Sequence, residues 1–164
     1  MRRFAAIFAV LGFLLSVSVV WAGEGKVYKV LPQFLDKKGR QSLAPSLYER
    51  DAYQAYLSKH SPERSALQIA VEWRAKGVDW EKTKIRAELR GLLTNNLQTV
   101  TLEEPVKRGG LFGLFGHWTD LKLTGDGYKK FGALVAWRVT LWEGDRQLSA
   151  QESFLWSGVP PRKP

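Results

Sequence analysis

Cysteine is absent from the 164-residue chain, methionine occurs once and histidine twice. Without a thiol there is no disulfide framework, thiolate nucleophile, thiolate metal site or iron–sulfur cluster. Two histidines, His60 and His117, are few for general acid–base or imidazole–metal chemistry. His60 closes a helical stretch, where a cation complements the helix dipole. The chain also lacks a phosphate-binding loop, a G-x-G-x-x-G turn after a strand, a G-x-S-x-G nucleophile elbow and any internal repeat of useful length. The composition therefore gives no reason to expect a cofactor.

The chain opens with a cationic Met1-Arg2-Arg3, followed over residues 4–20 by an apolar run broken only by Ser and Gly. Val20-Trp21-Ala22 then presents the residues that an export peptidase reads, so residues 1–22 are expected to be a cleaved secretory signal. An uncleaved anchor is the rival reading, since such a run sits at the lower limit of a membrane span, roughly 17 to 25 residues. Arg2-Arg3 is too small a part of the twin-arginine pattern to argue that route, and a bacterial lipid anchor needs a cysteine. The expected location is exported, periplasmic or extracellular. Residues 23–156 are long enough to form one cored domain without staples, and 157–164, with three prolines and two cations, read as a flexible basic tail.

Period-two alternation dominates the domain. Ala133, Val135, Trp137, Val139 and Leu141 alternate with Leu134, Ala136, Arg138, Thr140 and Trp142, and Gly144-Asp145 follows as a two-residue hairpin turn. That turn predicts Glu143 opposite Arg146, Leu141 opposite Leu148, Val139 opposite Ala150, Val135 opposite Phe154 and Ala133 opposite Trp156. Glu152 then falls opposite Trp137 as an anomalous inward carboxylate, costly to bury unless paired. Leu67 to Arg74 and Lys84 to Arg90 alternate as cleanly and read as a half-solvated antiparallel pair, with Glu72 and Glu88 on charged outer faces. Weaker strands are Lys26 to Leu31, Leu97 to Glu103 and Trp118 to Leu123.

One helix, near 46–60, interrupts the strands. Ser46 with Glu49 suggests a capping box, and Tyr48, Ala52, Tyr53, Tyr56 and Leu57 form a stripe able to lie on a sheet. About seven strands and one inserted helix describe a mainly β protein. The expected fold is an antiparallel β-sandwich, immunoglobulin-like or fibronectin-like, with Gly125 to Gly132 as a corner and Tyr128 as a candidate corner tyrosine. The stretches Val30-Leu31-Pro32-Gln33-Phe34-Leu35-Asp36, Ser42-Leu43-Ala44-Pro45-Ser46-Leu47-Tyr48-Glu49-Arg50-Asp51-Ala52-Tyr53-Gln54, Ala136-Trp137-Arg138-Val139-Thr140-Leu141-Trp142 and Ser153-Phe154-Leu155-Trp156 carry a resemblance. Together they resemble small exported bacterial proteins of uncharacterised function with an immunoglobulin-like β-sandwich. The resemblance implies export and supplies no catalytic residue.

Segment 107–118 is the most unusual, since Lys107 and Arg108 precede a doubled Leu-Phe-Gly unit that fits neither a strand nor a helix. Its apolar side chains Leu111, Phe112, Leu114 and Phe115 are either tucked under a loop or offered to a partner. With Lys107 and Arg108 they form the candidate contact surface. The formal charge of +9 is dispersed along the chain, and behind an export signal it favours envelope anions over nucleic acid. The sequence thus suggests a non-catalytic binding or accessory module at the cell envelope, meeting an envelope protein, an anionic membrane surface or an envelope polymer. The alternative is an envelope hydrolase acting on polysaccharide or peptide, for which His117, Asp120 and Glu152 are the nominees. Glu103 and Glu104, adjacent in a strand, point to opposite faces and do not make a glycosidase pair.

Overall fold

The computed structural model describes residues 23–106 and 116–158. They form seven strands: β1 (Glu24–Asp36), β2 (Arg64–Lys76), β3 (Thr83–Leu93), β4 (Asn96–Pro105), β5 (His117–Thr124), β6 (Ala133–Glu143) and β7 (Arg146–Glu152). Helix α1 spans Leu47–Lys59, and two short helices, α2 (Gly125–Phe131) and α3 (Phe154–Gly158), join it. The protein is mainly β, with two antiparallel sheets in a sandwich-like arrangement, ordered β1-β2-β5 and β4-β3-β6-β7.

All seven strands occur where alternation places them, because each carries apolar side chains at alternate positions along part of its length. Leu67, Ile69, Val71 and Trp73 of β2 face Ile85, Ala87, Leu89, Val139 and Leu141 across the core, each nearly or wholly inaccessible. The expectation that β2 and β3 pair is corrected. They lie in different sheets, since residues 77–82 carry the chain across the sandwich and each strand finds two other neighbours.

The last hairpin starts as expected, with Glu143 opposite Arg146 and Gly144 at φ 57°. Only the first central residue takes positive φ, as in a type II′ turn. A bulge at Leu148 then moves every later pair by one, so Leu141 meets Ser149, Val139 meets Gln151 and Arg138 meets Glu152. A one-residue slip exchanges the faces of a strand. Ala150 and Glu152 are consequently exposed, and Glu152 is not the inward carboxylate that an unbulged ladder requires. A second irregularity, opposite Arg90 and Gly91, turns Leu134 toward the core in place of Ala133. The chain leaves β7 at Ser153, so Phe154 and Trp156 pair with neither Val135 nor Ala133 but belong to α3. There Arg90 lies 3.8 Å from the Trp156 ring centroid and donates to the Trp156 carbonyl at 2.9 Å.

Residues 37–63 form an insertion carried by β1. Helix α1 docks through Tyr53, Gln54 and Leu57, whereas Tyr48 and Tyr56 of the expected stripe are exposed. Polar anchoring decides the rotation. Gln54 accepts the Phe34 N–H at 2.7 Å and donates to the Phe34 carbonyl at 2.9 Å and the Gln41 carbonyl at 2.8 Å, adding a rung to β1. Ser46 makes no side-chain cap, so the expected capping box does not form. The corner at 125–132 is helical, anchored by buried Phe131, and Tyr128 packs against the core.

Asp36 ties the insertion down. Its carboxylate accepts the N–H groups of Lys38 and Arg40 at 2.8 Å each, the Arg40 guanidinium at 2.8 and 2.9 Å, and the Tyr53 hydroxyl at 2.9 Å. Burial opposes ionisation, but these donors outweigh it and hold the carboxyl down at about 2, against 3.8 ordinarily.

Two predictions arise from this frame. Gly144→Val keeps the space but places a β-branched residue at positive φ, and should lower stability by about 1–2 kcal/mol; a thermal melt matching the parent would refute the turn. The lowered Asp36 pKa gives stability that is present above pH 3.8 and is lost as pH falls toward about 2. Asp36→Asn should therefore be less stable at pH 7 yet show a flatter decline between pH 4 and 2 in melts taken across that window. Parallel declines would remove Asp36 from the acid response.

Candidate functional site

Gly25 sits where β1 comes closest to the second sheet. A Cβ there would lie 2.6 Å from Leu141 Cδ2 and 3.0 Å from Leu148 Cδ1, so only glycine lets the strand approach. The approach is fixed by the Val27 N–H donating to Ser149 Oγ at 3.1 Å and by Arg146 donating to the Gly23 carbonyl at 2.8 Å. β1 thus bridges the sheets, laddered to β2 on one side and held to β7 on the other.

A bulge between Val27 and Lys29 breaks the β1–β2 register at Tyr28. Bulges re-aim side chains, and Tyr28 is 48% exposed. Lys26 and Arg74, directly opposite each other on β1 and β2, both lie 5.3 Å from its ring centroid. Like charges facing across a ladder repel, and the tyrosine π-face offsets part of that cost. Lys76 stands opposite Glu24 without forming an ion pair, and Lys26 forms none either among the described residues.

These residues, with Arg146, Gln147 and Leu148 of β7, line an open groove of about 600 Å³. Arg146 also donates to Glu143, whose carboxyl is held below its ordinary range by that guanidinium and then by the Asp79 N–H. Four cationic side chains and one carboxylate give the groove a positive bias. Clefts elsewhere on the molecule are chemically different. One of about 490 Å³ lies under Gln41 to Pro45 of the insertion, and another of about 440 Å³ is walled by Pro32, Phe34, Leu67 and Leu134.

The residues nominated from sequence converge only in part: His117 and Asp120 both border an open cleft of about 260 Å³, with Trp73, Glu104 and Trp118, and Glu152 does not. Lys107, Arg108, Leu111, Phe112, Leu114 and Phe115 lie outside the described residues. His117 stacks on Trp73, with centroids 4.7 Å apart, and meets Trp80 edge-on at 5.6 Å. Asp120, three residues along β5, falls on the opposite, outer face and is exposed. Glu152 is on the other sheet, opposite Arg138 and hydrogen-bonded by the Ser157 hydroxyl. His60 stacks on Tyr56 at 4.0 Å and its Nδ1–H donates to the Tyr56 carbonyl at 2.8 Å. No group of three or more His, Asp or Glu able to hold a metal occurs among the described residues.

Sequence reading missed Tyr28, Arg74, Lys76 and Arg146. Each looks like a solvated strand residue in isolation, and no spacing links positions so far apart. Gly25 lies just before the expected strand Lys26 to Leu31 and falls inside β1 only in the structure, where a glycine marks close backbone approach.

Gly25→Val should overpack the β1–β7 contact and cost about 1–3 kcal/mol, with faster amide exchange at Val27 than in the parent. Unchanged exchange at Val27 would show that the bridge does not depend on this glycine.

The chain matches no protein-family model, no curated protein and no solved structure.

Proposed function

We propose that the protein is an exported, non-catalytic binding module of the cell envelope, built on an immunoglobulin-like or fibronectin-like sandwich, that holds an anionic envelope component in the groove beside Tyr28. The observation that carries this reading is the convergence of Lys26, Arg74, Lys76 and Arg146 from three strands onto one concave surface. Charge of one sign gathered in a concavity attracts the opposite sign more strongly than the same charge dispersed. Strand division into β1-β2-β5 and β4-β3-β6-β7, with the final hairpin at one edge, supports the fibronectin-like assignment. Export rests on the leader-like residues 1–22. The hydrolase alternative loses Glu152, which stands on the other sheet, away from the cleft that His117 borders with Asp120 and Glu104.

The test is co-sedimentation with cell-wall material and with anionic and neutral liposomes, at low and high salt. The parent should sediment with anionic material at low salt and be released at high salt. A Lys26→Glu, Lys76→Glu variant should lose most of this binding, and a Phe112→Ser, Phe115→Ser variant should keep it. The reverse pattern would move the contact to the 107–115 segment, and salt-independent binding would refute an electrostatic groove.

A further inference from the structure

The groove combines groups that a simple polyanion does not use. Tyr28 lines it with about half of its surface open. Glu24 and the Gln147 amide share the lining with the four cations. A carboxylate repels phosphate, yet it accepts hydrogen bonds from hydroxyls, and an amide both donates and accepts. An aromatic face takes up the C–H face of a sugar ring by dispersion and burial. Large aliphatic side chains of the kind that insert among lipid tails are missing from the lining, where Leu148 alone is aliphatic beyond alanine and is partly buried in the core. The groove is also concave, whereas a lipid surface presents a broad face.

Resting on the binding-module reading, we propose that the groove recognises an acidic polysaccharide. A sugar ring packs on the open part of Tyr28, its acidic groups meet Lys26, Arg74 and Lys76, and its hydroxyls meet Glu24 and Gln147. Arg74 and Lys26 are already held beside the ring, so little side-chain freedom remains to be lost when an anion arrives. The bulge at Tyr28 is the structural device: alternation after buried Val27 already turns the side chain outward, and the bulge leaves it with no β2 residue directly opposite, where an unbroken ladder would supply one.

The experiment uses protein produced from the full-length sequence, titrated with short oligogalacturonates, their methyl esters and inorganic polyphosphate. Oligogalacturonate should bind the parent, the methyl ester about tenfold or more weakly. Tyr28→Leu should weaken oligogalacturonate binding about five- to tenfold, Tyr28→Phe should leave it nearly unchanged, and neither should alter polyphosphate binding. Melting temperatures of both variants should match the parent, because Tyr28 lies outside the core cluster. Equal oligogalacturonate binding by Tyr28→Leu and the parent, or a preference for polyphosphate, would overturn the sugar assignment. So would failure of oligogalacturonate to bind. In each case retained, salt-sensitive sedimentation with envelope material would leave the binding-module reading standing, and its loss would remove both.

Discussion

Strand β1 holds the two halves of the sandwich together, and most of what distinguishes this molecule hangs from it. One edge ladders to β2 along nearly its whole length. At its start the other edge meets β7, through the Gly25 approach, the Val27–Ser149 bond and the Arg146–Gly23 bond. Toward its end that same edge is capped by Gln54 of the inserted helix. An exposed strand edge invites pairing with other chains, and here the edge is closed twice by different means.

The insertion shows how polar contacts set an orientation that hydrophobicity leaves open. Helix α1 has tyrosines and alanines on several sides and no single apolar stripe strong enough to choose a face. Leu57 alone is fully buried from this helix, while Gln54 and Tyr53 supply directional bonds to Phe34 and Asp36. Hydrogen bonds of this kind contribute modestly each, yet leaving buried partners unpaired is costly. The helix therefore turns its glutamine and one tyrosine inward and leaves Tyr48 and Tyr56 in water.

Charge is organised differently on the two sheets. On the outer face of the larger sheet, Glu103 receives Lys84 at 2.9 Å and Arg86 at 2.5 Å, and both cations hold its carboxyl below the ordinary range. Arg86 and Arg90 also lie beside the Trp142 and Trp156 rings. Those cations are committed to neighbours within the fold. At the start of the smaller sheet, Lys26 and Lys76 have carboxylates within the same strands but close no ion pair among the described residues, and Lys26 faces another cation. Of the groove's cations, Arg146 is paired with Glu143, while Lys26 and Lys76 keep charge that no ion pair among the described residues offsets.

Much of this architecture was legible in alternation alone: seven strands, the Gly144 turn, the helix between the first two strands and the apolar residues of the core. These are properties of segments shorter than about a dozen residues, where side-chain period and backbone geometry are directly linked. The tertiary structure decided what alternation cannot encode. A single bulged residue, Leu148, reversed the faces of the last strand and carried Glu152 from an expected interior position to the surface. Sheet membership separated β2 from β3, because pairing depends on which edges remain free. The groove likewise exists only after folding. Its cations at positions 26, 74, 76 and 146 are brought together by β1 reaching β2 and β7 at once, and long-range contact of that kind leaves no periodic trace in a sequence.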